Sequence, residues 1–438
     1  MNSLLKIALR NVFLHWRQSL AATISLAAGL ISLVMFQGYM KDVERIYQES
    51  FRSRMMWGDV VVENLNLRHP EGRAEPWKYE VTPSEQEFVQ KFFEAHKDKV
   101  DAYNRFLSIS GMVTNGKTST IFRGYGYDLA EGEKTRSPEW TWNALYGAPL
   151  KTLHTVILGQ SLGKILGCLP DQKVKVLQGT SGYKPEVRPF HCSTPDIQLN
   201  ITTPEGQLNA IDLQVTGLLD ALYKDIDDKF LATSLEDAQT LMNTKNISYI
   251  TVKFIKNGGF IDNIIEDFNT QAEKAGLQQR MSRWENHIIG EMYVRTMSLL
   301  GVFRNFVVSI IVAIAGLSVF NTMMKLVKER TREIGTLRSI GFLPKQILFV
   351  FVSEAVTLSF IGGVIGSLVA VIGTLILNGV GIVYKAGVLV EPVPFQILIS
   401  PNLYVFSFIF LSLLAAMTTW IACRSTLKNS TAENLTYV

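Results

Sequence analysis

Residues 325–341 read KLVKERTREIGTLRSIG. A long apolar run ends directly before this stretch, and another begins at Gln346. A charged segment wedged between two membrane-length runs is the turn of a transmembrane hairpin, exposed on one face of the membrane. Lys325, Lys328, Arg330, Arg332, Arg338 and Lys345 stand there against Glu329 and Glu333. That basic excess assigns the turn to the cytoplasmic side. Ionisable residues recur at three- and four-residue spacing, which predicts a short helix over 327–345 with Gly341 as its C-terminal stop. Pro344 suits the first turn of the helix that follows. A stiff, charged helix at the base of two spans is a handle that another protein could push.

Outward from the turn, the chain divides into very apolar blocks and one ordinary polar block. The composition, 19% charged and 47% apolar, averages over the two. Residues 1–18 place Leu4, Leu5, Ala8, Val12 and Phe13 on one helical face, as an amphipathic helix in the membrane interface would. Residues 19–40 carry no charge and predict a first, uncleaved span. The second span is expected at 305–326, with Arg304 snorkelling at its outer end. The third lies within 346–378, an outer loop over 379–401, and the fourth span over 402–423. The tail 424–438 brings Arg424 and Lys428 back to the cytoplasm. Under this topology both termini are cytoplasmic and residues 41–304 lie outside.

Within 41–304, β-branched and aromatic runs predict strands at 59–63, 106–113, 118–124, 173–177, 197–201, 211–217 and 249–254. Helices are expected at 84–96, 235–242 and 260–275, and long loops at 66–76 and 179–195. This makes a large α+β domain inserted between the first two of four membrane helices. Its flanks keep a helical period: Val43, Ile46, Tyr47 and Phe51 on one side, Trp284, Ile288, Met292, Tyr293, Leu299 and Phe303 on the other. Paired stalks running on from the spans, or ordinary domain helices, both fit that period. Glu354 reads either as a buried polar contact or as a residue at the headgroups. Gly362 and Gly366 form a close-packing face, within one subunit or towards a neighbour. Cys168 and Cys192 could be bonded or free, since both lie in the polar block.

Chemistry is sparse. Net charge is only +4 and no basic tract appears, which disfavours nucleic acid. The text of GxxxxGK[ST] occurs at 111–118, GMVTNGKT, but strands are expected on both sides of it, not the helix a phosphate loop opens; GQSLGKI at 159–165 has the wrong spacing and lacks the hydroxyl after Lys164. GQSLG at 159–163 has the text of G-x-S-x-G; no H-E-x-x-H or zinc spacing occurs, and no catalytic residue, metal or cofactor is assigned to this chain. The spans hold no ladder of carboxylates or histidines for protons or ions. Energy should enter from a partner.

The run 321–341, NTMMKLVKERTREIGTLRSIG, followed by Ile347, Phe351, Glu354 and Gly362, resembles the FtsX/MacB/LolC-E class of ABC-transporter permeases. GYGYDLAEGE at 124–133, VILGQSLGKILG at 156–167, and residues 206–217 and 227–243 resemble its lipoprotein-releasing branch, and Arg10-Asn11 fits the N-terminus of the family as a whole. The resemblance implies a bacterial inner-membrane permease with a periplasmic domain, working by mechanotransmission as a homo- or heterodimer on two ATPase subunits. ATP and magnesium would be bound by those subunits, and this chain would not be an enzyme. The coupling role would fall on Lys328, Glu329, Arg330, Arg332, Glu333 and Arg338, with Gly335 and Gly341 allowing close approach or the turn. Lipoprotein acyl chains would meet Met35, Phe36, Tyr39 and Met40, facing Met297, Leu300 and Phe303; stalk-to-stalk packing is the other use for those side chains. A periplasmic chaperone or adaptor, a lipoprotein substrate and membrane lipid are the further partners implied. Two alternatives remain open, a MacB-like tripartite efflux component and an FtsX-like regulator of a cell-wall hydrolase. MacB proper carries a fused ATPase, and the FtsX type a smaller outer domain.

Overall fold

The computed structural model describes residues 8, 10–12, 14, 16–136, 146–171, 189–221, 223–255, 258–384 and 393–427. The strand expected at 173–177, most of the helix at 1–18 and the tail beyond 427 lie outside them. So do parts of the loops 179–195 and 379–401.

In chain order, helix α1 is Trp16–Glu49 and strand β1 is Val60–Asn64. Helix α2 is Pro83–Ala95, followed by β2 Val100–Thr114, β3 Ser119–Tyr127, β4 Thr155–Gly159, β5 Cys168–Pro170 and β6 Phe190–Cys192. Then come β7 Asp196–Thr202, β8 Leu208–Leu219, β9 Phe230–Ser234, α3 Leu235–Met242, β10 Tyr249–Phe254, α4 Phe260–Lys274 and β11 Gln279–Arg283. The chain closes with α5 Ile288–Glu329, α6 Thr331–Ser339, α7 Pro344–Val380 and α8 Pro401–Leu427. Four of these helices, the α1, α5, α7 and α8 segments, are long and apolar enough to cross a membrane. Two compact units emerge: a helical unit of 1–44, 297–382 and 395–438, and a sheet unit of 45–296 with 383–394.

In the sheet unit, six strands close on themselves. β2 pairs β3 antiparallel, β3 pairs β9 parallel, β9 pairs β4 antiparallel and β4 pairs β8 parallel. β8 pairs β7, and β7 returns to β2 through Asn200 opposite Met112. Closure is possible because β2 is long enough to change partners along its length. Its last residues pair β7, while Val100 to Phe106 pair β10, which continues through β1 to β11. The core is filled from these strands by Val62, Leu107, Ile109, Val156, Leu158, Leu199, Leu213, Leu231 and Val252. Helix α2 is set by a capping box: the Glu85 carboxylate accepts from both the Thr82 N–H and the Thr82 hydroxyl at 2.8 Å. Helix α4 buries Ile261, Ile264, Phe268 and Ala272 on one stripe.

The sequence pattern does not mark strands β4 and β9. Both are buried along their whole length, so neither shows the alternation of a half-exposed strand. The polar edge strand β11 carries no such signal either. The stretch 66–76 is not a plain loop: it contains a 3-10 turn, Leu65–Arg68, and a short helix, Pro70–Ala74. Of the two cysteine readings, the bonded one is realised. The Cys168 and Cys192 sulfurs are joined across the β5–β6 pair.

In the helical unit, α7 begins at Pro344, and the Gln346 side chain accepts from the Leu343 N–H at 2.9 Å. A Cβ at Gly362 would lie 2.9 Å from the Thr23 carbonyl, and one at Gly366 3.0 Å from the Ala27 backbone. The glycine face therefore packs α7 on α1 within one chain. Ser25 with Ser318 at 3.1 Å and Ser359 with Ser412 at 3.0 Å add hydroxyl bridges between helices. Polar links of this kind suit helices that lack a hydrophobic drive to associate in lipid.

Candidate functional site

The charged turn is two pieces rather than the single helix expected over 327–345. Residues 325–329 end α5, and the backbone leaves the helix at Arg330 (φ −105°, ψ 17°) before α6 starts. The Thr331 hydroxyl donates to the Lys328 carbonyl at 2.8 Å, occupying one of the carbonyls that the end of α5 leaves open. Helix α6 buries Thr331, Ile334 and Gly335, spaced three and four apart, and turns Arg332, Thr336 and Ser339 outward. Gly341 stops it with φ +100°, where the nearest space is open. The requirement at Gly341 is thus backbone conformation, not crowding.

Arg330 is the anchor. It is 4% exposed, and one guanidinium nitrogen lies 2.7 Å from both carboxylate oxygens of Glu354, itself 1% exposed. Its Nε donates to Glu333 at 2.8 Å, and its guanidinium carbon lies 5.0 Å from the Phe351 ring centre. Of the two readings of Glu354, the structure shows the buried polar contact. A carboxylate at this depth is held by a charge that the turn folds back to meet it.

Around this anchor the turn is exposed. Lys328, Glu329, Arg332 and Lys345 are open to solvent, Lys325 pairs with Glu329 at 3.7 Å, and Glu333 and Arg338 are half-buried. Ile340 and Leu343 are 72% and 62% exposed, two apolar knobs inside a basic rim. Sequence reasoning does not single them out.

The acyl-contact set is divided by the structure. Met40 lines a small cleft of about 80 Å³ with Val43, Glu44, Met297, Leu300, Gly301 and Arg304. Met35 instead lies beside Gly373 of α7, and Tyr39 stacks on Phe395 at 4.7 Å. Phe36 is half-buried, and Phe303 is 54% exposed and outside the cleft. With about 3.6 residues per turn, Met35 and Tyr39 lie on one side of the α1 arc and Phe36 and Met40 on the other. In the sheet unit the stalk flanks do meet: Phe51 stacks on Trp284 at 5.9 Å and meets Tyr293 edge-on at 5.7 Å. No group of three or more His, Cys, Asp or Glu suited to a metal occurs among the described residues.

Residues 305–431 match the FtsX-like permease C-terminal family. A pyoverdine export ATP-binding/permease protein of Pseudomonas fluorescens is 39% identical over 93 residues, covering 21% of this chain and 14% of that protein. An uncharacterized ABC transporter permease of Methanocaldococcus jannaschii is 28% identical over 166 residues, 36% of this chain and 40% of the relative. The chain thus spans well under two thirds of the length of either. The periplasmic region of MacB from Actinobacillus actinomycetemcomitans overlaps 54% of this chain and 92% of its own, at 13% identity and a TM-score of 0.32. Residues 305–431 are therefore an FtsX-like permease domain, and the chain that carries them is related to ABC-transporter permeases.

Proposed function

We propose that this chain is the non-catalytic membrane subunit of an ATP-driven machine in a bacterial inner membrane. A separate cytoplasmic ATPase, two copies per pair of permeases, seats on the turn between α5 and α7. Its nucleotide cycle moves the helices, and the sheet unit does work outside the membrane on an amphiphile such as a lipoprotein. The supporting observation is the turn itself. Exposed Lys328, Arg332, Ile340 and Leu343 form a mixed apolar and basic surface, braced from beneath by the buried Arg330–Glu354 pair. A soluble partner can grip such a surface, and the brace keeps it from yielding locally. The small cleft between Met40 and Met297 offers two adaptable methionines in a lining that also carries Glu44 and Arg304, as a contact for one end of an amphiphile would.

A second reading, export of a small molecule through a periplasmic adaptor, is favoured by the name of the pyoverdine-exporting relatives. Co-purification with the ATPase, then ATP-dependent release of a labelled triacylated lipoprotein from proteoliposomes, separates the two. ATPase binding and lipoprotein release are expected together. ATPase binding without release leaves the export reading, and no ATPase binding removes both.

A further inference from the structure

Helix α5 does not run unbroken into α6, so a push on α6 cannot pass to α5 along one continuous ladder of backbone hydrogen bonds. At the break, Arg330 leans across to α7 instead, gripping both oxygens of Glu354 at 2.7 Å with the Phe351 ring beneath it. Along α7, Glu354, Leu358, Gly362 and Gly366 recur every fourth residue, and all four are buried. Residues at that interval lie on one slowly turning stripe. The glycine end of the stripe meets the α1 backbone at Thr23 and Ala27, at van der Waals limits. α1 is the helix that continues without interruption to Glu49.

We propose that Arg330 and Glu354 form the transmission joint of this permease: positioning residues that pass motion of α6 into α7, and from α7 through the glycine seam into α1. This rests on the ATPase-docking reading above and adds the route by which docking is felt. A buried ion pair is a poor device for stability alone, because an apolar pair of similar volume commonly serves as well or better. What the guanidinium provides is several points of hold at once, with Nη1 on Glu354, Nε on Glu333 and the Phe351 ring beneath, which fixes how the break after α5 sits on α7. The glycines act likewise: with no side chain between α7 and α1, neither helix can shift far without carrying the other.

The test uses the full chain assembled with its ATPase. Cysteines replace Met40 and Met297 across the cleft, and their cross-linking rate is followed through ATP turnover. The unsubstituted joint should show a nucleotide-dependent change in that rate. In Glu354→Gln the change per ATP hydrolysed should fall more than threefold, counted per assembled complex. A purely structural role would lower the amount of complex and leave this ratio alone. A ratio less than threefold below the parent overturns the joint while leaving ATPase docking standing. Failure of the parent chain to assemble with the ATPase overturns the docking reading and the joint with it, and an assembled parent with no nucleotide response overturns the joint alone. Should Glu354→Gln fail to assemble, Arg330→Lys, which keeps the charge and loses the guanidinium that bridges Glu354 and Glu333, is read in its place. A twofold or greater fall in the same ratio supports the joint, and a smaller one overturns it.

Discussion

At the scale of single residues, the turn separates charges that look alike in the sequence. Arg330 and Arg332 are two positions apart, yet one is buried on Glu354 and the other exposed. The break in the chain gives the reason: Arg330 stands between the two helices, where the backbone leaves α5, while Arg332 lies on the outward face of α6. The two should therefore fail differently. Arg332→Glu removes a surface charge from the proposed docking face, so ATPase affinity should drop about tenfold, or about 1.4 kcal/mol. The melting temperature of the isolated chain should stay within a degree or two. Titrating detergent-purified permease with ATPase checks the first, and a thermal ramp the second. An Arg332→Glu variant that melts early would place Arg332 in the fold rather than on the docking face. The basic cluster is legible in the sequence; its division into anchor and surface is not, because Glu354 lies 24 residues from Arg330.

At the scale of elements, the G-x-x-x-G of α7 is visible in the sequence, but its partner is not. Either a second subunit or a helix of the same chain would demand small residues, and only the packed helices identify Thr23 and Ala27 of α1. Gly366→Leu should overpack that seam by about 1–3 kcal/mol, lowering the melting temperature of the purified chain. Gly379→Ala is the control, because a Cβ there meets nothing within 4 Å. Equal melting of Gly366→Leu and the parent would remove the seam. The strands repeat the lesson. β10 is legible from its β-branched and aromatic residues. β4 and β9 go unmarked, and like β1 and β10 they are buried on both faces and show no alternation, so composition is the only signal such strands carry.

At the scale of the molecule, the sheet unit is closed by pairing and tied down by buried charge. Glu63 of β1 is fully buried, 3.0 Å from His287 at the foot of α5 and 2.7 Å from Arg68, which also donates to Ser282 at 2.9 Å. Burial works against ionisation of Glu63, but the hydrogen bonds and charges of His287 and Arg68 outweigh it and hold its pKa below the usual value. A depressed carboxylate stabilises the fold above its unfolded pKa, roughly 4.3, and that contribution is lost as pH falls through the folded value. The full chain should therefore lose stability as pH drops below about 4. Glu63→Gln should be about 3 kcal/mol less stable at neutral pH and show a flatter acid limb. Denaturant melts at neutral pH and at about pH 3.5, below the unfolded value, measure both. A parallel pH dependence in parent and variant would discount the network.

Sequence alone determined four spans, the large insertion after the first, the charged turn and its family resemblance, because those signals are local: hydropathy over a span, charge beside it, a short motif. Tertiary structure decided which charges of that turn face inward, which helix the glycines touch, that six strands close into a ring, and that Met35 and Met40 part company. Each of those depends on residues far apart in the chain meeting in space, and no window of sequence contains both partners. KLVKERTREIGTLRSIG marked the handle, and Glu354 showed what it is fastened to.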